Sequence, residues 1–510
     1  MSLTRRRFLK SSLVIGSSAL AADWHSALAA GQPTTKPSAK PVFKQCSLTP
    51  AVIAPGQPCV LRAEWREGRY DGIELRQTYF VSPEGAMPGF TYDAAARVNY
   101  LADPGRTLIA KSGPLDKASE PNRIEVHLDT KEWKPGVYFF LAGIASGKKR
   151  LDQRGLAVKV CSPSDRLDVS VSESWELCPG THAERVLRLA SGTLLTSEYI
   201  STDSGQTWRH REGGTIGDGG TQLRDGRVIG MKSGIAPIEG RDGWYMGQRF
   251  ESTDDGRTIA GPLPAEFHVP RAKAAYGHAF HPGPIFMRSI VERSDGSLVA
   301  LMAGWFKGDD EICPHGNKRP YSRTYVCESA DRGRTWTYLA TIGYDRIGSE
   351  GYNEGSMRML PDGTLMAVMR TGSARDLKCQ DNPVMSSFSR DGGRTWSKPQ
   401  RTGGTGAFPD LLVLADGTLA ASYGRPGNVI MFSADHGRTW IDHTIVNPTP
   451  YSGYTALCEP KPGEILIVFG AKDYFDPTTG RRKDSIRCAR VTYRLKTGNV
   501  PQTRPASRAD

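Results

Sequence analysis

The eight residues STDSGQTW at 201–208 return four more times along the chain, as STDDGRTI at 252–259, SADRGRTW at 329–336, SRDGGRTW at 389–396 and SADHGRTW at 433–440. A segment that recurs in this way is typical of an architecture built from repeated units. In each copy the aspartate can accept hydrogen bonds from backbone amides of its own turn, and the glycine permits positive φ. A terminal tryptophan can pack between neighbouring sheets. We therefore interpret the five aspartates as structural: Asp203, Asp254, Asp331, Asp391 and Asp435.

A second repeat is interleaved with the first from about residue 164 onward, as in LPDGTLMAV and LADGTLAAS. A glycine turn, most often Asp-Gly, between two apolar runs is a strong signal of a β-hairpin. Six such hairpins, five of them followed by the octapeptide, predict an all-β fold over 164–497 in which six β-sheet blades form a ring, a six-bladed β-propeller. The turn glycines are Gly192, Gly226, Gly296, Gly363, Gly417 and Gly463.

The chain before the repeats divides into three predicted parts. TRRRFLK at 4–10 places twin arginines before a mildly apolar run that ends near ALA at 27–29, which predicts a twin-arginine export signal over 1–29 and a periplasmic or secreted protein. The alternative is a membrane anchor, but a spanning helix needs about 20 apolar residues and this run has about a dozen. Residues 30–41 predict a linker. Alternating runs such as CVLRAEW over 42–163 predict an immunoglobulin-like β-sandwich with an accessory role, and 498–510 is predicted to be a disordered tail.

Composition narrows the classes of partner. The net charge of +12 is spread along the chain, which favours a solvated basic surface over a nucleic-acid site, and a basic exported protein suits anionic glycans. No membrane contact is expected after signal removal. The nine cysteines form no CxxC pair, and the HxxH at 278–281 has no third ligand at a recognisable spacing, so no metal is predicted. The sequence also has no glycine-rich phosphate loop, no GxSxG nucleophile elbow and no HExxH motif, and no cofactor is expected.

The hairpin repeat also predicts where a functional site lies. In each blade, the start of the first strand and the end of the second meet on the rim opposite the short turns, and longer loops of this kind carry function. The predicted strand-one starts lie about nine residues before most of the turn glycines, and somewhat earlier in the third hairpin. They are His182, Asp218, Pro282 with Gly283, Asn353 with Glu354, Phe408 with Asp410, and Tyr454. The strand-two ends contribute Arg370 and Arg425. These side chains are predicted to converge around one axial mouth.

The octapeptides resemble the Asp-box repeats of the sialidase (neuraminidase) superfamily, and the resemblance covers roughly 175–495. YNEGSMRMLPDGTLMAVMR, SYGRPG and SGYTAL are similar to the segments that carry the sialidase site residues. The resemblance implies that Tyr454 is a nucleophile, that Glu354 is its base, and that Arg370 and Arg425 clamp a substrate carboxylate. Chemistry agrees, because a phenol with a pKa of about 10 needs an adjacent carboxylate to be a useful nucleophile. Arginine in turn supplies a bidentate fork for a carboxylate.

Two features depart from the sialidase pattern. Where sialidases place an arginine at the start of the first blade, GTHAERVLRL offers His182, and Arg185 is out of phase. The long first-blade loop that carries the sialidase acid is missing. Replacement chemistry is expected from histidines on this rim, His278 or His182, since imidazole can act as a general acid near neutral pH. Asp218, Asp309 and Asn353 complete the predicted substrate-binding set with the two arginines.

The sequence therefore favours an exported exo-acting glycoside hydrolase whose substrate is a glycan with a carboxylated sugar, of sialic or uronic acid type. One alternative is a polysaccharide lyase, or a hydrolase that cleaves rhamnose–uronate linkages, on the same propeller. Another is a propeller that binds glycan without turnover. One fold hosts many activities, so these alternatives stay open.

Overall fold

The computed structural model describes residues 42–67, 70, 72–81, 92–93, 98–99, 108–111, 122–146, 149–180, 182–211, 214–273, 283–314, 319–372, 382–425, 427–449, 452–476 and 481–496. Regular structure in these residues is β-strand throughout, with no α-helix, which confirms the predicted all-β class. The predicted signal, linker and tail, and the candidate His278, lie outside the described residues. Over the ranges just given, no helix is long and apolar enough to span a membrane.

The first described region forms two facing sheets. One sheet has the strand order β1 (Phe43–Thr49), β3 (Cys59–Trp65) and β8 (Arg123–Leu128). The other has the order β2 (Val52–Ile53), β10 (Lys149–Val160), β9 (Gly136–Ser146), β4 (Gly72–Val81) and β7 (Leu108–Lys111), and a short pair is formed by β5 (Tyr92–Asp93) and β6 (Val98–Asn99). Alternate residues of β3 point inward, as the CVLRAEW pattern predicts. They pack with Phe140 and Val158 of the other sheet in one buried cluster.

The strands after residue 166 form further sheets, in which most neighbouring strands pair in antiparallel fashion. β11 (Leu167–Val171) and β12 (Trp175–Pro179) come first, followed by a four-stranded sheet of β13 (Leu187–Arg188), β14 (Leu194–Leu195), β15 (Tyr199–Ser201) and β16 (Arg209–His210). The next strands are β17 (Gly219–Gln222), β18 (Val228–Met231), β19 (Ala236–Pro237), β20 (Trp244–Ser252), β21 (Ala260–His268), β22 (Ala272–Lys273), β23 (Ile285–Glu292), β24 (Leu298–Phe306), β25 (Arg323–Ser329) and β26 (Thr335–Gly343). Eight of them close into a ring, because β17 pairs in parallel with β23 and β21 pairs in parallel with β26.

Three more sheets complete the described chain. Two are four-stranded: β27 (Gly355–Met359), β28 (Leu365–Met369), β29 (Pro383–Ser389) and β30 (Gln400–Thr405), then β31 (Ala407–Val413), β32 (Leu419–Gly424), β33 (Asn428–Ser433) and β34 (Ile441–Asn447). The last is formed by β35 (Thr455–Lys461), β36 (Glu464–Asp476) and β37 (Arg481–Leu495), and both β11 and β12 pair with β37. The predicted hairpins are present, and their six turn glycines have φ between 78° and 91°.

The octapeptide turns share one hydrogen-bond pattern. In each, the first serine donates to the aspartate, the glycine amide donates to that serine at 2.8–2.9 Å, and the threonine amide donates to the aspartate at 2.9–3.0 Å. The fourth and fifth residues of each turn both have positive φ. These bonds offset burial and lower the pKa of Asp203 and Asp254 to about 2. The aspartates therefore stabilise the turns, in agreement with the structural interpretation.

The two-sheet region packs onto the sheet of β31–β34. Strand β9 is buried on both faces, because Tyr138 and Phe140 lie in the core between the two sheets while Val137 and Phe139 join a cluster with Tyr423 and others from the later sheet. A continuous apolar run such as GVYFFLAGI is what a strand buried on both faces requires. Phe139 lies against Gly427, where a β-carbon would overlap its ring. The contact reaches the functional site, because the carbonyl of Gly427 accepts a hydrogen bond from the amide of Arg425.

Candidate active site

Tyr454 and Glu354 lie side by side, each one residue before the first strand of its hairpin, β35 and β27. The Tyr454 hydroxyl donates a hydrogen bond of 2.6 Å to Oε1 of Glu354. The Tyr454 ring packs 4.7 Å from the ring of Phe408. Burial, with the nearby Glu354 carboxylate, raises the pKa of Tyr454 to about 12, against the opposing effect of Arg425 and Arg370. A phenol in this state is a poor nucleophile until its proton passes to the carboxylate it already contacts.

Arg370 follows β28 and holds Glu354 from the other side. Its Nη1 donates to Oε2 of Glu354, its Nη2 donates to Oε1 of Glu350 at 2.8 Å, and its Nε donates to the Gly372 carbonyl at 3.0 Å. Burial alone would raise the pKa of Glu354, but Arg370 and Arg425 hold it below its ordinary value. Glu354 is therefore ionised at neutral pH and ready to accept the tyrosine proton.

Arg425 follows β32 and lies 4.9 Å from the centre of the Tyr454 ring. Its backbone has φ of 57°, and its amide donates to the carbonyl of Gly427 at 2.9 Å. Its Nε donates to the Ser452 carbonyl at 3.2 Å. Neither Nη atom of Arg425 has a hydrogen-bond partner among the described residues, although the residue is only 6% exposed. This guanidinium is positioned by its backbone and its Nε, with its terminal nitrogens free to bind a ligand.

Arg288 is a third guanidinium at the site, and sequence reasoning missed it. The guanidinium carbon lies 3.5 Å from the ring centre of Phe408 and 5.2 Å from that of Tyr454. Its Nη2 donates to the Ala183 carbonyl at 2.6 Å and its Nη1 to the Thr455 carbonyl at 3.2 Å. Arg288 thus joins the segment before β13 to the residue after Tyr454.

A signal for Arg288 is present in the sequence. Arg288 precedes Gly296 by eight residues, the same offset that separates Asp218 from Gly226. The sequence reading instead chose Pro282 and Gly283, which precede β23. The strand register shifts between Phe286 and Ile290, and Arg288 has φ of 56°. This bulge aims the side chain toward Tyr454, in line with the frequent occurrence of bulges next to active sites.

His182 lies close to Tyr454, as the sequence reading predicts. The two ring centres are 4.8 Å apart in an edge-to-face arrangement, and His182 is exposed. Asn353 is half-buried, and its Nδ2 lies 3.5 Å from Oε2 of Glu350, the partner of Arg370. The structure therefore brings His182 to the tyrosine and Asn353 to the shell around Arg370.

Asp218 and Glu184 lie near Arg288 and have different surroundings. Asp218 accepts hydrogen bonds from the Ser233 amide at 2.7 Å and hydroxyl at 2.6 Å, and from Lys232 at 3.3 Å. Glu184 is half-buried, and no hydrogen bond or ion pair reaches its carboxylate from the described residues. Burial, with the charge of Asp218, raises the pKa of Glu184 to about 7, although Arg288 and Lys232 oppose the shift. Sequence reasoning missed Glu184, which also precedes its turn glycine, Gly192, by eight residues.

Two other predicted aspartates have structural partners. Asp309 is buried, and it accepts hydrogen bonds from the Phe306 amide and from the guanidinium of Arg323, both at 2.7 Å. Asp410 accepts from Arg358 at 3.0 Å and from the Leu457 amide at 2.8 Å. No described contact joins Asp309 to Tyr454, so its substrate role stays a prediction while its surroundings are those of a buried ion pair.

Metal ligands do not cluster in the described part of the chain, since no group of three or more His, Cys, Asp or Glu side chains there is arranged to hold an ion. The eight cysteines within the described ranges are free of disulfide bonds. Cys379 lies outside those ranges.

Comparison with known proteins found solved structures of low similarity. The chain is similar to a protein of unknown function from Dyadobacter fermentans (18% identity, 64% of this chain and 99% of that one, TM-score 0.46). It is similar to the α-L-arabinofuranosidase Arb93A from Fusarium graminearum (16% identity, 62% and 97%, TM-score 0.45) and to the Hadza microbial sialidase Hz136 (14% identity, 84% and 92%, TM-score 0.41). No family model matches the chain, and no curated protein matches it. The structural neighbours include both sialidases and an α-L-arabinofuranosidase.

Proposed function

We propose that the protein is a sialidase-like glycoside hydrolase that removes a carboxylated sugar from the end of a glycan. In this proposal the sheets from β11 to β37 are six blades of a propeller over 164–497, the sandwich at 42–163 is an accessory domain, and the twin-arginine segment exports the folded protein. Tyr454 attacks the anomeric carbon while Glu354 takes its proton. A covalent tyrosyl intermediate implies that the anomeric configuration is retained.

The observation that carries this proposal is the 2.6 Å hydrogen bond from Tyr454 to Glu354, with Arg370 on the second carboxylate oxygen. A buried tyrosine with a pKa of about 12 needs such a base, and a base held ionised by arginine can accept the proton at neutral pH. A neutral phenol also suits an anionic sugar better than a carboxylate nucleophile, which would repel it.

The arginines support the choice of a carboxylated substrate. Arg370 is already paired with two glutamates and Arg288 with two backbone carbonyls, which leaves the Nη atoms of Arg425 as the donors without a described partner. A carboxylate bound there would make charge-assisted hydrogen bonds in a site that is largely shielded from water. Asn353 and His182 stay proposed as further contacts to the sugar.

A polysaccharide lyase is the second candidate, and the contact between the rings of His182 and Tyr454 favours it. In that reaction the histidine and the tyrosine would act as base and acid on a uronate whose carboxylate is neutralised by arginine. A lyase leaves an unsaturated product that absorbs in the near ultraviolet, whereas a hydrolase does not.

The deciding experiment incubates the purified protein with sialosides and with uronate-containing oligosaccharides. Release of a reducing sugar without new ultraviolet absorbance supports the hydrolase, and new absorbance supports the lyase. A sugar analogue with fluorine beside the anomeric carbon and a good leaving group should label Tyr454, detected by mass spectrometry of the tryptic peptide. Glycan binding with neither product would instead indicate a binding protein.

A further inference from the structure

The proposed reaction needs a proton donor for the departing glycosidic oxygen, and Tyr454 and Glu354 do not supply one. Three acidic or basic side chains share the same offset of eight residues from their turn glycines: Glu184, Asp218 and Arg288. Asp218 and Arg288 lie beside each other, since the parallel pairing of β17 with β23 sets Gly220 opposite Ser289, and Arg288 in turn contacts the Ala183 carbonyl next to Glu184. The three side chains therefore belong to one edge of the site.

Arg288 ties this edge to the tyrosine. Its guanidinium donates at 2.6 Å to the carbonyl of Ala183, the residue before Glu184, and at 3.2 Å to the carbonyl of Thr455, the residue after Tyr454. The same guanidinium lies over the ring of Phe408. Glu184 and Tyr454 thus flank a single buried arginine. Glu354 contacts Tyr454 on a different side, through the sheet of β27.

The surroundings of the two carboxylates on this edge are opposite. Asp218 accepts two hydrogen bonds from Ser233 and one from Lys232. Glu184 has no described partner and is half-buried, which favours the protonated form. The charges that act on Glu184 are Asp218 and Lys232 from the β17–β18 hairpin, Arg288 from β23, and Glu198 before β15.

We propose that Glu184 is the general acid and base of the site, an assignment that rests on the proposed hydrolase function. In the first step Glu184 donates its proton to the glycosidic oxygen as the bond to the anomeric carbon breaks, the aglycone leaves as an alcohol, and Tyr454 bonds to that carbon while its proton passes to Glu354. In the second step water attacks the anomeric carbon, its proton returns to Glu184, and the tyrosine leaves with the proton held by Glu354. Both carboxylates end as they began, so protons balance.

Glu184→Gln tests the assignment with methyl and 4-nitrophenyl glycosides of N-acetylneuraminic acid and glucuronic acid, using whichever sugar the wild-type protein cleaves. Glu239→Gln, an exposed residue in the turn after β19, is the matched control. General acid catalysis contributes about 10²–10⁴-fold, so kcat/KM for the methyl glycoside should fall by that factor. The 4-nitrophenyl glycoside, whose leaving group needs no proton, should lose less than about tenfold in kcat/KM.

The pH profile gives a second readout. Glu184 must be protonated to act, so kcat/KM of the wild type should decline as pH rises above its pKa of about 7, and this decline should vanish in Glu184→Gln. Equal losses of kcat/KM on the methyl and 4-nitrophenyl glycosides, or a decline at high pH that persists in Glu184→Gln, would overturn the assignment of Glu184 but not the proposed hydrolase function. A wild-type protein that cleaves none of the four glycosides would overturn the proposed function together with this assignment.

Discussion

The Tyr454 hydroxyl meets Oε1 of Glu354 at 2.6 Å across 100 residues of sequence. Each residue precedes the turn glycine of its own hairpin by nine positions, Gly463 for Tyr454 and Gly363 for Glu354. The contact therefore follows from the equal number of residues between each side chain and the turn of its hairpin, in two separate sheets. A pair placed in this way should act as one unit.

Tyr454→Phe removes the hydroxyl and leaves the ring to pack on Phe408. Turnover should fall by several orders of magnitude, because the nucleophile is lost while binding through Arg425 survives. The free energy of unfolding should change by about 1 kcal/mol, the worth of one hydrogen bond. Steady-state kinetics and urea unfolding measure the two effects.

Glu354→Gln provides the companion measurement. Its defect should be similar to that of Tyr454→Phe, and the double variant should be little worse than either single one, since the pair transfers one proton. Near-normal turnover by Tyr454→Phe on a good substrate would contradict the tyrosine mechanism and direct attention to His182.

Arg425→Asn tests carboxylate recognition, and asparagine tolerates the positive φ at this position. Hydrogen bonds to charged groups are worth about 1.5–3 kcal/mol, so kcat/KM for a carboxylated glycoside should fall by roughly 10–100-fold. The methyl ester of the same glycoside should be affected far less. Arg438→Asn, an exposed change in an octapeptide turn, is the control, and an equal loss on acid and ester would argue against a carboxylate contact.

His443 predicts a pH dependence of stability. It is buried in β34, its Nδ1 lies 3.1 Å from the Tyr423 hydroxyl, and burial, with the charge of Lys159, lowers its pKa from 6.5 to about 4. Between these values the unfolded chain binds more protons than the folded one, so this residue makes stability fall as pH drops from about 6.5 to about 4.

At 1.36 kcal/mol for each pKa unit, the loss attributable to His443 is about 3 kcal/mol by pH 4. Urea unfolding of the wild type and of His443→Gln at pH 7 and pH 4 isolates the effect, because other titrating groups are common to both proteins. Parallel losses in the two proteins would show that His443 does not titrate in this window.

Gly219→Ala tests the position of Arg288. A methyl group at Gly219 would collide with the carbonyl oxygen and Cα of Arg288, so the bulge must move. Overpacking of this kind costs about 1–3 kcal/mol, and kcat/KM should fall with the displacement of the guanidinium. Gly240→Ala is the control: nothing lies within 4 Å of the added carbon, so only stability should change. Equal kinetics in both variants would mean that the bulge does not position Arg288 for turnover.

Much of the site could be predicted from the sequence, because in a regular hairpin the number of residues between the turn glycine and the opposite rim is nearly constant. Glu354, Arg370, Arg425 and Tyr454 were found in this way and lie together. Arg288 was missed because it lies within β23, at a bulge that no residue type predicts, and not at the strand start where Pro282 and Gly283 were chosen. Glu184 was missed because its importance comes from a lack of partners, which only the folded surroundings reveal.

The sheet that carries Tyr454 is shared between distant parts of the chain, since β11 pairs with β37 from Leu167 opposite Leu495 to Val171 opposite Val491. On the ribosome, β11 emerges 314 residues before the start of β37, and at about 5–20 residues per second it waits roughly 15–60 seconds for its partner. During that time its edge is open to other strands. Nascent chains whose β37 has not yet emerged from the ribosome should therefore need a chaperone to cover β11. They should also be inactive, even though the earlier hairpins are already complete.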